Sequence, residues 1–164
     1  SHERVFIVEV MGRDSGFIAL DVAIAGGAEG ALIPEDIEDW DKVIKHFSRE
    51  GKRQKSFSII VVAEGDEQGG ALILEKKLAD IYPDLKIRST ILGHVQRGGS
   101  PSARDRILAS RLGSEAVKAL IDGQKSITVG IINDQVSYTA FDLAINGKKS
   151  VSKELIQLAE ILAR

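Results

Sequence analysis

The stretch RVFIVEVMGRDSGFIALDVAIAGG, residues 4–27, decides the fold class of this chain. Most of residues 4–10 are β-branched or aromatic, which predicts a strand that is covered on both faces. Residues 12–16 break this strand, and the alanine-rich segment 17–25 predicts a buried helix that ends at the following pair of glycines. A buried strand followed directly by a helix is typical of a parallel α/β sheet.

The rest of the chain continues this alternation. Runs of β-branched residues predict further strands at 31–33, 56–63, 86–92, 128–132 and 137–141. The helical spacing of apolar residues predicts helices at 39–50, 71–82, 101–121 and 153–163. The pattern predicts a Rossmann-like, mostly parallel sheet flanked by helices, and the length of 164 residues suits a single α/β lobe over residues 1–164.

The helix predicted at 101–121 has a marked start and a marked apolar face. Ser100 can accept hydrogen bonds from the free amide groups of the first turn, and Pro101 suits the first helical position because proline has no amide hydrogen. A buried stripe is expected along Leu108, Leu112, Ala116 and Leu120, with Val117 and Ile121 beside it.

The composition is that of an ordinary globular protein. The chain is 43% apolar and 28% charged with a formal net charge of −2, a balance that argues against nucleic acid or an anionic membrane as the main partner. It contains no cysteine, which excludes disulfides and thiolate metal sites. No apolar run approaches the roughly 20 residues that cross a bilayer, and no signal-like segment opens the chain. These features predict a cytoplasmic protein.

Three predicted strands are each followed at once by a polar loop. The loops are MGRDSG at 11–16, EGDEQGG at 64–70 and GHVQRGGSP at 93–101. Because the carboxyl ends of parallel strands meet at one edge of a sheet, these loops are expected to lie side by side. The polar side chains expected at that edge are Arg13, Glu64, His94 and Arg97.

The third of these loops has the composition of a phosphate-binding loop. Arg97 presents a planar fork of donors to phosphate oxygens, and the glycines at 98–99 permit a close approach of the backbone. His94 can donate a further hydrogen bond, and the amino terminus of the next helix adds a positive electrostatic potential. The alternative is an ordinary solvated loop, in which His94 is a hydrogen-bonded structural residue.

The other two loops contribute one candidate residue each. Arg13 follows a buried strand, where core packing does not account for an arginine, and its alternative is a surface turn residue. Glu64 ends the most apolar strand, where a carboxylate can accept hydrogen bonds from substrate hydroxyls or can cap a helix or pair with a base. Neither GxxxxGK[ST] nor a strand-GxGxxG-helix unit occurs, so the chain shows no nucleotide-phosphate cradle of its own.

A resemblance to a known family rests on four segments that follow one another along the chain. They are RVFIVEVMGR at 4–13, AIAGGAEGALIPE at 23–35, IIVVAEG at 59–65 and LGHVQRGGSPSARDRILASRLG at 92–113. Together they resemble the carboxyl-terminal half of bacterial, ATP-dependent 6-phosphofructokinase. The resemblance implies a glycolytic kinase that transfers a phosphoryl group from ATP, with Mg²⁺, to the 1-hydroxyl of fructose 6-phosphate. The family's glycine-rich ATP loop and its TIDND-like catalytic-base motif are not in these residues, so the isolated chain is expected to be inactive.

The resemblance also implies roles for individual residues. Arg13 would face the transferred phosphoryl group and stabilise the transition state. Arg4 and Arg88 would reach the sugar-phosphate site of the neighbouring subunit, which implies a homo-oligomer, expected to be a tetramer. Within one subunit, the residues that would contact fructose 6-phosphate are Met11, Gly12, Arg13, Glu64, His94 and Arg97.

A second site, for an allosteric effector, is implied in the same way. Glu29 matches the acid that helps to hold the magnesium ion of a nucleoside diphosphate, and the basic residues that fall near the family's effector-binding positions are Lys52, Arg53 and Lys55. From the residues alone, a basic run of this kind is usually a solvated turn, and the alternative is a second anion site. The alternatives for the whole protein are a pyrophosphate-dependent phosphofructokinase and a noncatalytic sugar-phosphate or nucleotide sensor. A dinucleotide-binding fold is disfavoured because its fingerprint is absent.

Overall fold

The structure, a computed structural model, describes residues 4–36, 39–47, 57–65 and 69–163. The chain divides into two compact units, which are described separately. The sheet unit comprises Ser1–Gly98 and Ser150–Arg164, and the hairpin unit comprises Gly99–Lys149. The single lobe expected over residues 1–164 stays a prediction. In the part of the chain that is described, no helix is both long and apolar enough to cross a membrane.

A four-stranded parallel sheet forms the centre of the sheet unit, in the spatial order β2-β3-β1-β4. Its strands are β1 (Arg4–Val10), β2 (Gly30–Leu32), β3 (Phe57–Ala63) and β4 (Lys86–Ile91). The prediction of a mostly parallel α/β sheet is therefore confirmed. β1 lies in the interior of the sheet, where Arg4 pairs with Phe57 on one side and with Lys86 on the other.

Helices cover both faces of this sheet. They are α1 (Phe17–Gly26), α2 (Asp39–His46), α3 (Ala71–Ile81) and α6 (Lys153–Leu162). On one face, Val5 and Ile7 are fully buried against α2 and α3, and on the other face Val10 packs in a cluster with α1 and α6. Each fully buried side chain of this kind contributes roughly 2 kcal/mol, so β1 is held firmly and the loop that follows it starts from a rigid point.

The predicted bounds of the elements in the sheet unit agree with the structure to within one residue, apart from α2. Helix α1 ends as expected at the glycine pair, where Gly27 adopts the left-handed conformation with φ of 66°. Helix α2 ends at His46 and Phe47 forms a turn, which is earlier than the predicted end at residue 50; residues 48–50 of that prediction lie outside the described part of the chain.

The hairpin unit contains one long helix and a two-stranded antiparallel sheet. Its elements are α4 (Ala103–Ile121), β5 (Ile127–Ile132), β6 (Gln135–Ala140) and α5 (Phe141–Asn146). Both predicted strands are present, whereas the short helix α5 is absent from the sequence-based prediction. The turn between the strands is held by Arg111, whose guanidinium donates to the carboxylate and to the carbonyl of Asp134, at 3.0 and 3.1 Å.

The predicted start of α4 is wrong. The cap is Ser102, not Ser100, and Pro101 lies outside the helix. The hydroxyl of Ser102 accepts from the amide of Asp105 at 3.2 Å, and the carboxylate of Asp105 accepts from the amide of Ser102 at 2.8 Å. This reciprocal pair satisfies two free amides, whereas a cap at Ser100 would lack an acid at the required spacing.

The predicted buried stripe of α4 is also wrong for the chain as described. Ala119 is the buried residue of this helix, whereas Leu108 is 40% and Leu120 is 72% exposed. The reason is the small size of the hairpin unit, in which α4 packs mainly against the single strand β5. Helical periodicity shows where the apolar residues of a helix lie, but it does not say which of them other elements cover.

Candidate functional site

The loops that follow β1, β3 and β4 lie side by side at the carboxyl edge of the parallel sheet. The hydrogen-bond ladder continues past the strand ends, because the amide of Glu64 donates to the carbonyl of Val10 at 2.9 Å. On the other side of β1, the amide of Leu92 donates to the carbonyl of Glu9 at 3.1 Å. We call this region the loop edge, defined as residues 11–16, 64–65 and 93–97. Its assembly is as expected from the sequence.

Glu64 holds the loop after β1 in place. One oxygen of its carboxylate, Oε1, accepts from the amide of Arg13 at 3.0 Å and from the amide of Gly12 at 3.3 Å. Both amides reach the same oxygen at a turn in which Arg13 has a left-handed φ of 50°. That conformation costs a non-glycine residue about 1 kcal/mol, and the two hydrogen bonds offset this cost. Among the described residues, Glu64 forms neither a salt bridge nor a helix cap, which were its expected alternative roles.

The ionisation of Glu64 reflects this setting. The amides of Arg13 and then Gly12 hold the pKa of Glu64 below its ordinary value of 4.5, while partial desolvation acts in the opposite direction. The charges of Arg97 and His94 lower the same pKa further. The pKa of Glu64 therefore responds to the charges of the third loop as well as to the amides of the first.

This lowered pKa predicts a pH-dependent stability difference between the wild type and Glu64→Gln. The ionised carboxylate contributes stability above the unfolded-state pKa, near 4.5, and that contribution is lost as the pH falls through the lower folded-state pKa. Thermal unfolding of both proteins from about pH 7 to about pH 3 measures the difference. We expect it to be constant at the upper end and to shrink below the ordinary pKa. A difference that stays constant throughout would contradict the assigned hydrogen bonds.

Gln96 links the third loop to the first. Its side-chain oxygen accepts from the partly buried amide of Met11 at 2.8 Å, so the consecutive amides of residues 11–13 all donate to side chains of the other two loops. Sequence reasoning missed Gln96, and its only signal was its position between His94 and Arg97. It holds the turn that carries these two residues against the loop that carries Arg13.

The turn at Gly93–Arg97 places His94 and Arg97 together. It is a 3₁₀ helix, in which residues three apart are eclipsed because each turn takes three residues. Both side chains are exposed. The arrangement therefore offers an imidazole and a guanidinium on the same side of one turn of the loop edge.

Gly65 lies at a close contact between two of the loops. A Cβ atom at this position would overlap the carbonyl oxygen and carbonyl carbon of Arg13. Only glycine lets the chain after Glu64 pass so near to the chain at Arg13. The loops of the loop edge thus pack against one another and are not three independent loops.

Arg4 and Arg88 lie far from the loop edge of their own chain. Arg4 begins β1, and the seven residues of that strand span about 20 Å. With Phe6 and Lys86, these arginines line a concave surface of about 420 Å³ near the opposite end of the sheet. The structure does not bring them to the other predicted site residues within one chain, and their role in a neighbouring subunit stays a prediction.

The expected effector site is described only in part. Glu29 precedes β2 and is half-buried, and its Oε2 accepts from the amide of Ile59 at 2.6 Å. The basic run Lys52, Arg53 and Lys55 lies outside the described residues. Within residues 4–36, 39–47, 57–65 and 69–163, no group of three or more histidine and acidic side chains is placed to hold a metal ion.

The chemistry of the loop edge suits an anion that also carries hydroxyl groups. The exposed side chains of Arg13, His94 and Arg97 can each donate to phosphate oxygens. Glu64 uses Oε1 for the backbone, and among the described residues nothing donates to its Oε2. That second oxygen can accept from a ligand hydroxyl without releasing the loop.

Comparisons with known proteins are consistent with this geometry. The family model described as phosphofructokinase matches residues 1–120. The chain is 45% identical over 163 residues to ATP-dependent 6-phosphofructokinase 2 of Bacteroides thetaiotaomicron, covering 99% of this chain and 50% of that protein. It is 48% identical over 165 residues to ATP-dependent 6-phosphofructokinase 1 of Thermus thermophilus, again covering 99% and 50%. The chain thus spans about half the length of the curated relatives it matches.

Solved structures agree on the fold. Phosphofructokinase from Saccharomyces cerevisiae matches with a TM-score of 0.75 and 32% identity, covering 97% of this chain and 21% of the yeast chain. A pyrophosphate-dependent phosphofructokinase from Marinobacter aquaeolei matches with a TM-score of 0.76 over 92% of this chain and 42% of that one. Its 23% identity supports the fold alone.

Proposed function

The chain belongs to the phosphofructokinase family, and on that premise we propose that it supplies the sugar-phosphate-binding half of an ATP-dependent 6-phosphofructokinase. The whole enzyme, a phosphotransferase of glycolysis, transfers a phosphoryl group to the 1-hydroxyl of fructose 6-phosphate and yields fructose 1,6-bisphosphate. One observation carries the assignment of the site. The hydrogen bonds from residues 11–13 to Glu64 and Gln96 hold Arg13, His94 and Arg97 at one edge of the sheet.

In this proposal the side chains of the loop edge contact different parts of the sugar phosphate. Arg97 and His94 bind the 6-phosphate, since their eclipsed positions present several donors to one group. Glu64 accepts from a sugar hydroxyl with Oε2, and the backbone at Met11 and Gly12 lines the sugar. Arg13 faces the phosphoryl group in transit and stabilises the negative charge that develops there.

ATP and Mg²⁺ enter the proposal as donor and cofactor. The names of the relatives support ATP rather than pyrophosphate as the donor. No metal cluster is found among the described residues, so we assign no magnesium ligand of the reaction to this part of the chain. Glu29, Lys52, Arg53 and Lys55 stay proposed for an allosteric effector and its magnesium ion. We further propose a cytoplasmic homotetramer and an inactive isolated chain.

Removing the phosphate-binding side chains tests this function. In the full-length protein we expect Arg97→Ala to raise KM for fructose 6-phosphate about 30-fold, the equivalent of about 2 kcal/mol for one charge-assisted contact. His94→Ala should raise it less, and KM for ATP should change less than about twofold in either variant. Steady-state kinetics with each substrate varied in turn measure both constants.

The matched control is Arg104→Ala, which removes an exposed arginine of α4. It should leave both KM values unchanged. Equal rises in KM for the two substrates after Arg97→Ala would argue that this residue supports the fold of the enzyme rather than the sugar phosphate. A full-length wild type without phosphofructokinase activity would favour the noncatalytic sensor.

A further inference from the structure

A surface lined by cationic side chains lies near the amino-terminal end of the parallel sheet. Arg4 and Phe6 on β1 and Lys86 and Arg88 on β4 line a concave surface of about 420 Å³, which we call the cationic concavity. Sequence reasoning assigned Arg4 and Arg88 a role through the family resemblance, but it gave Lys86 none. The structure brings Lys86 into the same surface.

The strand register places the cations of this surface directly beside one another. Arg4 pairs with Lys86, and Phe6 pairs with Arg88. Successive side chains of a strand point to opposite faces, and Val5, Ile7 and Ile87 pack on the face covered by α2 and α3. Arg4, Lys86 and Arg88 therefore share the other face.

This clustering of like charges is unfavourable for folding. Like charges directly opposite each other on neighbouring strands destabilise a sheet. Among the described residues no carboxylate forms an ion pair or a hydrogen bond with Arg4, Lys86 or Arg88. Within the described residues the cluster is thus left without compensation, and an anion from outside the chain would supply it.

The chemistry of the three cations indicates the class of that anion. The arginines offer planar forks of donors that match two oxygens each, and Lys86 adds a compact charge that fits a third oxygen. A phosphate monoester, with its two negative charges and several free oxygens, satisfies all three. Because β1 spans about 20 Å, Lys86 and its neighbour Arg4 cannot reach a phosphate at the loop edge of their own chain.

We propose that Lys86 is the third cation of a phosphate-binding surface formed with Arg4 and Arg88. The phosphate it contacts is that of the sugar phosphate held at the loop edge of a second copy of this chain, so this step rests on the proposed function. Lys86 would thereby strengthen sugar-phosphate binding while it destabilises the unliganded sheet.

Opposite effects of one substitution on stability and on binding test this proposal. In the full-length protein we expect Lys86→Gln to raise the Tm in phosphate-free buffer by about 1–2 °C, since a repulsion is removed. The same variant should raise KM for fructose 6-phosphate about fivefold, and Lys86→Arg should restore it to within about twofold. Inorganic phosphate should raise the Tm of the wild type more than that of Lys86→Gln.

The matched control is Lys76→Gln, an exposed lysine on α3 across the sheet. It should change neither KM nor the response to inorganic phosphate. An equal phosphate response in the wild type and in Lys86→Gln overturns the proposal. So does a reduced phosphate response with an unchanged KM, because the surface would then bind free phosphate and not the sugar phosphate of a second copy.

The kinetics of Arg97→Ala separate this proposal from the proposed function. If Arg97→Ala raises KM for fructose 6-phosphate and Lys86→Gln does not, the role of Lys86 fails while the proposed function stands. If neither variant changes that KM, the proposed function fails, and the source of the phosphate proposed for Lys86 fails with it.

Discussion

Arg13→Ala is expected to lower kcat of the full-length protein about 1,000-fold, the upper end of what one donor to a developing charge contributes. The physical reason is the position of Arg13, whose backbone is fixed by Glu64 and whose exposed guanidinium extends from the loop edge. A group that acts on the reacting phosphoryl group lowers kcat more than it raises KM. Steady-state kinetics with ATP and fructose 6-phosphate measure both.

Arg13→Gly provides the control for this variant. Both substitutions remove the guanidinium, so both should lose the same activity. Glycine adopts the left-handed φ of 50° found at this position without the strain of a side chain, whereas alanine retains it. We therefore expect Arg13→Gly to be about 1 kcal/mol more stable than Arg13→Ala. Equal stability would contradict the backbone conformation, and an unaltered kcat would remove the catalytic role of Arg13.

Gly65→Ala is expected to lower kcat/KM for fructose 6-phosphate about 100-fold, the loss typical of a displacement of about 1 Å at a binding site. The added methyl group would overlap the backbone carbonyl of Arg13, which cannot rotate away as a flexible side chain can. The loop that carries Arg13 must then move relative to Glu64. We also expect a loss of about 3 kcal/mol in the free energy of unfolding, measured by denaturant titration.

Gly26→Ala is the matched control, because a Cβ atom at this position in α1 has nothing within 4 Å. It should keep full activity and should not lose stability, since alanine is the better helix former. A Gly65→Ala variant that behaves like Gly26→Ala would mean that the two loops are not in contact.

Much of the sheet unit was predictable because its signals are local. The continuous apolar runs of β1 and β3 follow from burial on both faces, and the glycine pair after α1 marks the helix end. The same logic placed Arg13, Glu64 and Arg97 at one edge, since parallel strands with helical crossovers carry their following loops on the same side. That part of the candidate site needed no knowledge of side-chain contacts.

Other features were not predictable because they depend on partners distant in sequence. Nothing local to Gln96 shows that its side chain accepts from Met11, 85 residues away. The exposure of Leu120 depends on how little of the chain packs on α4. The start of α4 differs from these cases, because its signal is local. Ser102 and Asp105 have the spacing of a capping box, but Ser100 followed by Pro101 is an equally common pattern at a helix start.

By itself, the sequence determined the parallel α/β sheet and the loops that follow its strands. The reason is that hydrophobic periodicity, and the glycines that mark the ends of helices and strands, are signals that extend over only a few residues. Only the tertiary structure decided that Glu64 holds the amides of Gly12 and Arg13, and that Gly65 lies against Arg13. It also decided the strand register that sets Lys86 beside Arg4. These contacts join segments that the chain keeps far apart, and only the packing of strands fixes which of their atoms meet.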